Sequence, residues 1–295
     1  MKNAIIIFSI IILAGVGSYF IWGNKAAPEQ ITNNTGEQNE QTQNVPVNKE
    51  QTVIGKSVEG RDILAYHYGT GDKELLFVGG IHGGYEWNTV LVAYETMDYL
   101  KANPTTVPAN VKVTVIPVLN PDGLNKTVGT TSRFSKADVP TEKDATVAGR
   151  FNGNTVDLNR NFDCDWKVSA KWQDKTVSGG SAAFSEPESL AMKNYVETNK
   201  PTAVVVWYSS AGGVFASNCH NGVLPETQTL TDKYAKASGY PAYEDFNFYE
   251  ITGDMVNWLA KSNIPAISVL LTNHTDTEWT KNEKGIKALL EYYAE

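Results

Sequence analysis

Two side chains able to hold a divalent metal stand four residues apart in "VGGIHGGYEWNT", Val78 to Thr89: His82 and Glu86. An imidazole nitrogen and a carboxylate oxygen are both good donors to zinc. The run before them, "ELLFVGGI", is apolar and short, as a buried strand is, and it breaks at two glycines next to the histidine. A helical pattern, "EWNTVLVAYETMDYL", begins at Glu86 itself. A histidine and a carboxylate at the carboxyl end of a strand are what a metal hydrolase places there. The site is complete only if distant segments supply the remaining groups.

The elements that must position such a site alternate between strand and helix. "ELLFVGGI", "VKVTVIPVL", "TAVVVWY" and "IPAISVLLT" read as strands buried on both faces. Helices are expected at "EWNTVLVAYETMDYLKAN", "SEPESLAMKNYVETN", "ETQTLTDKYAKASG", "ITGDMVNWLAKSN" and "KGIKALLEYYAE". Ser185 is expected to cap the second of these, and "NPDGL" from Asn120 reads as a turn after a strand. The pattern predicts an α/β fold: a single domain with a mostly parallel mixed sheet and helices on both faces. In such sheets ligands bind at the carboxyl ends of the strands.

The domain is expected over residues 53–295. Before it, residues 1–22 include nineteen uncharged residues from Ala4 to Trp22, about the length that crosses ~30 Å of hydrocarbon. They read as an uncleaved signal anchor or a cleaved signal peptide; either sends the domain to the extracytoplasmic side, membrane-anchored or secreted. Residues 23–52 are polar and rich in Asn and Gln, the composition of a flexible linker.

The net charge of −8 and the absence of any basic block argue against a nucleic-acid partner. The two cysteines, Cys164 and Cys219, lie outside any metal-type spacing. In an exported domain they read either as a disulfide or as two separately buried thiols.

Five ordered motifs, "IHGGYEWN", "PVLNPDGLN", "GRFNGNTVDLNRNFDCDW", "FSEPES" and "FYEITGDMVNWLAKSNIPAISV", resemble those of the zinc carboxypeptidase family, the carboxypeptidase A-like exopeptidases. The resemblance runs from about Ser57 to Ile286. It implies one zinc ion with His82 and Glu86 as two of its three protein ligands, although one extra residue separates them here. It also implies that Asn159 and Arg160 bind a substrate's terminal carboxylate, a task suited to a planar guanidinium. Arg150, with Arg133 as a weaker candidate, matches the arginine that polarises the scissile carbonyl. Tyr249 matches the tyrosine that closes over substrate, and Val256 falls at the floor of the specificity pocket. Implied partners are a peptide or peptidoglycan-peptide substrate.

The resemblance breaks at two places. The second zinc histidine of the family aligns with Ser209 in "VVVWYSSAGGVFAS", and its general-base glutamate falls on Leu270 or Leu271. His274, a few residues beyond, is a weak candidate for the missing ligand. His220, Asp276 and Glu278 are weaker substitutes, and Ser209 or Ser210 as a nucleophile lacks an identified base. The sequence therefore leaves open an exported zinc carboxypeptidase with an altered metal set, a possible pseudoenzyme that binds peptide C termini without cutting them, and a metal-assisted amidase or deacylase.

Overall fold

A computed structural model describes residues 50–295; the expected membrane segment and nearly all of the expected linker lie outside the described residues. Among the described residues, ten strands and seven α-helices follow one another. In chain order they are β1 (Gln51–Lys56), β2 (Asp62–Tyr68), β3 (Lys73–Val78), α1 (Trp87–Ala102), β4 (Val111–Ile116), α2 (Pro121–Val128) and α3 (Lys143–Ala148). Next come β5 (Ser169–Trp172), β6 (Lys175–Ser178), α4 (Pro187–Asn199), β7 (Ala203–Ser209), β8 (Gly213–Ala216) and α5 (Pro225–Ser238). The chain ends with β9 (Ala242–Tyr243), α6 (Met255–Lys261), β10 (Ala266–Leu271) and α7 (Trp279–Ala294).

Eight strands form one sheet in the order β1-β2-β4-β3-β7-β10-β8-β9, and β5 with β6 makes a separate hairpin. The centre is parallel: β4 pairs with β3, β3 with β7 and β7 with β10. Both flanks bring in antiparallel strands, β1 and β2 on one side and β8 on the other. The four apolar runs seen in the sequence are the four central strands. They lack polar alternation because apolar residues cover both faces: one layer includes Phe77, Trp207, Val269 and Leu271, the other Leu76, Val206, Tyr208 and Leu270.

Two local expectations are corrected. "NPDGL" is the first turn of α2, not a free turn: the Asn120 side chain accepts from the Gly123 N–H, and Pro121 occupies the first helical position, where no amide hydrogen is needed. Ser185 does not cap α4. The cap position is Glu186, and Ser185 donates to its carboxylate while accepting from Asn161. The first strand also begins at Gln51, two residues before the expected domain boundary.

The order of the central strands fixes the site. β3, β7 and β10 are adjacent and point the same way, so the segments leaving their carboxyl ends meet. Those segments carry His82, Ser209 and His274.

Candidate active site

A cleft of about 590 Å³ opens at the carboxyl ends of these strands. Its walls include His82, Glu86, Arg150, Asn159, Arg160, Tyr249, Val256 and His274, so tertiary folding brings all the principal candidates together. Arg133 is elsewhere, paired with Asp98 at the surface. His220 is exposed and paired with Asp165, Asp276 is paired with Lys136, and Glu278 is bound to Thr272, Tyr240 and Lys281.

The loop from β3 to α1 carries the first two donors. Two glycines shape it: Gly83 has φ +45°, and a Cβ on Gly84 would lie 2.0 Å from Thr127 Oγ1. His82 and Glu86 are buried, with His82 Nδ1 2.8 Å from Glu86 Oε1. On its other edge, Nε2 lies 3.2 Å from Asp157 Oδ1. Neither ring nitrogen, nor Glu86 Oε2, makes a hydrogen bond of acceptable geometry within the protein.

Asp157, in "VDLNRNF", is a site residue that sequence reasoning misses. It is fully buried, and burial alone would raise its carboxyl pKa; Arg150 and His82 outweigh this and hold it well below the usual carboxylate range. Arg150 binds it through Nε at 3.0 Å and Nη2 at 2.8 Å, with its guanidinium 4.3 Å from the Trp172 ring centroid. A carboxylate behind an imidazole is a frequent partner of metal-binding histidines, since it fixes which nitrogen keeps its lone pair. With Nε2 facing Asp157, the Nδ1 edge faces Glu86, and a cation between them would relieve the repulsion of lone pair and carboxylate.

Two donors therefore fit a divalent metal, but the three-ligand set of a catalytic zinc is not present in this arrangement. Among the described residues, no group of three His, Cys, Asp or Glu side chains is placed to hold a metal ion. Ser209, last residue of β7, bonds instead to Asn88 and His274. Leu270 settles the register that the sequence left open. It faces the cleft, whereas Leu271 is buried in the layer on the opposite face. No carboxylate stands at either position.

Recognition groups are better preserved. Arg160 is 1% exposed; its Nε donates to Lys171 O at 2.9 Å, its Nη1 to Asn159 O at 2.6 Å, and its Nη2 has no protein partner. Tyr249 lies 6.0 Å from the Arg160 guanidinium, measured to the ring centroid. Asn159 is mostly engaged by the scaffold: it donates to Asp254 and accepts from Tyr208 and the Met255 N–H. Asp254, Ser268 and Asn257 line the cleft with Val256, giving it a mixed rather than purely apolar wall. Burial pushes the Asp254 carboxyl up despite its hydrogen bonds. Cys164 and Cys219 form a disulfide.

A zinc carboxypeptidase family profile matches residues 39–291. Among individual proteins, γ-D-glutamyl-L-diamino acid endopeptidase 1 of Lysinibacillus sphaericus is 27% identical over 218 residues, 67% of this chain and 54% of that protein. Metallocarboxypeptidase A of Arthroderma otae is 34% identical over 240 residues, 71% of this chain and 54% of that protein. The chain thus spans about half the length of these curated relatives. Among solved structures, the murein-tripeptide amidase MpaA from Escherichia coli O157 is similar with a TM-score of 0.57 at 20% identity, over 83% of this chain and 92% of that one. Carboxypeptidase A from Helicoverpa armigera gives 0.62 at 21% identity, over 83% and 66%. These likenesses show a fold shared by peptidases and an amidase, and the profile match over most of its length shows that the chain belongs to the zinc carboxypeptidase family.

Proposed function

We propose that the cleft binds the carboxyl terminus of a peptide, with Arg160 holding the terminal carboxylate and Tyr249 closing over it. The observation that carries this reading is the free Nη2 of Arg160. A buried guanidinium hydrogen with no acceptor costs about 1–3 kcal/mol, and a ligand carboxylate removes that penalty while matching the planar fork. Asn159 assists from the scaffold, and the side chain of the terminal residue rests against Val256, Asp254 and Ser268. Export through the N-terminal segment, whether anchored or cleaved, would place the domain where peptidoglycan peptides occur. The likeness to the endopeptidase and to the murein amidase also supports that substrate class.

Zinc, where bound, would be held by His82 and Glu86. Calorimetry with matched peptides tests the binding. A free carboxylate should bind at least tenfold more tightly than its C-terminal amide, and Arg160→Ala should abolish the difference. Equal binding of acid and amide would sink the reading. A second reading, hydrolysis of the bound peptide or amide, is favoured by the placement of His274.

A further inference from the structure

With Leu270 facing the cleft, β10 supplies no carboxylate to take a proton. The loop leaving that strand supplies another base. His274 lines the cleft, and its Nδ1 is 3.1 Å from Oγ of Ser209. By itself this contact does not say which atom carries the hydrogen, but the next link does.

Asn88, in the first turn of α1, gives its Nδ2 hydrogens to two carbonyls of the same loop, Asn273 O at 2.7 Å and Asp276 O at 3.0 Å. Reversing that amide would set its oxygen against both carbonyls, so Oδ1 is the atom 3.0 Å from Ser209 Oγ, and it can only accept. Ser209 has one hydroxyl hydrogen and gives it to Asn88. It must then accept from His274, which makes Nδ1 the protonated nitrogen and leaves the lone pair on Nε2. The ring is packed 4.6 Å from Tyr85, centroid to centroid, and its burial favours the neutral form.

We propose that His274 Nε2 is the proton acceptor for an attacking water in hydrolysis of a peptide or amide bond held in this cleft, with Asn88 and Ser209 as positioning residues. The proposal rests on the reading that the cleft holds a peptide carboxyl terminus. Water oxygen bonds to the carbonyl carbon as its proton passes to Nε2. Collapse of the adduct breaks the carbon–nitrogen bond, and the same proton leaves Nε2 for the departing nitrogen. An acid and an amine result, and His274 returns to its starting form. Arg150 lines the same cleft, held there by its pair with Asp157.

Two measurements on the full chain test this. Long-range ¹H–¹⁵N correlation spectra should show His274 protonated at Nδ1 and unprotonated at Nε2, and Ser209→Ala should change that tautomer balance. The second uses a set of free-acid tripeptides with apolar, acidic and basic terminal residues, together with murein tripeptide, and follows release of the terminal residue or of the amine. His274→Gln should lower turnover by about 10²–10⁴-fold while peptide affinity stays within threefold. Ser209→Ala should lower turnover less, with peptide affinity again unchanged. A native tautomer protonated at Nε2 overturns the proposal. So does unchanged turnover in His274→Gln, or loss of a stoichiometric bound zinc from that variant, which would make His274 a ligand. If the native chain binds the peptides and cleaves none of them, the base role fails and the binding reading stands. If it binds none of them, the binding reading fails as well.

Discussion

Asp157 Oδ1 lies 3.2 Å from Nε2 of His82, and its other oxygen receives two hydrogen-bonding groups of Arg150. One buried carboxylate thus sits against the first metal-donor candidate and pairs with the arginine beside it. Asp157→Asn leaves the buried Arg150 with only Glu86, 3.8 Å from its Nη1, as counter-ion, and breaking a buried pair typically costs about 3–5 kcal/mol. Urea unfolding of the domain should show that loss with an unchanged m-value. A loss under 1 kcal/mol would mean that Arg150 finds another partner.

Ser209 and Leu270 occupy the positions where the sequence resemblance places a third metal ligand and a base. Joint substitution Ser209→His and Leu270→Glu should give one tightly bound zinc per chain, read by elemental analysis after gel filtration. His82→Ala in that background should remove the metal. Leu271→Glu should instead destabilise the fold, because that side chain points into the opposite layer.

The Cys164–Cys219 bridge closes a loop across a sequence separation of 55 residues. By the chain-entropy relation, reduction should lower stability by about 4 kcal/mol. Denaturation with and without reductant measures this, and Cys219→Ser should reproduce the reduced protein. Coincident curves would show that the bridge is already absent in the purified chain.

His67 bridges Thr52 Oγ1 at 2.9 Å and Thr114 Oγ1 at 3.0 Å, and burial lowers its pKa below 6.5 despite the nearby Glu74. Below pH of about 6.5 the unfolded chain binds a proton that the folded chain declines, so this histidine makes stability fall as pH drops from 7 towards 5. His67→Gln should flatten that part of the profile, measured by urea midpoints across the range. A profile as steep as that of the parent would assign the slope to other groups.

The sequence by itself determined the kind of fold and most of the constellation. Unbroken apolar runs such as "TAVVVWY" have few choices other than a sheet core, and each motif carries its residue types within a few positions of a strand end. It also exposed the departures, since Ser209 and the pair Leu270 and Leu271 are legible without any coordinates. Tertiary structure decided what those residues touch. Asp157 is close in sequence to Asn159 and Arg160, yet only the folded loop sets it against His82, 75 residues earlier. The choice between Leu270 and Leu271 depends on which face of β10 meets the cleft, a side-chain alternation that burial on both faces hides from hydropathy. The link from Asn88 through Ser209 to His274 joins three segments remote in sequence. Hydrogen-bond direction follows from the complete network of donors and acceptors, and that network exists only once α1, β7 and the loop after β10 are packed together.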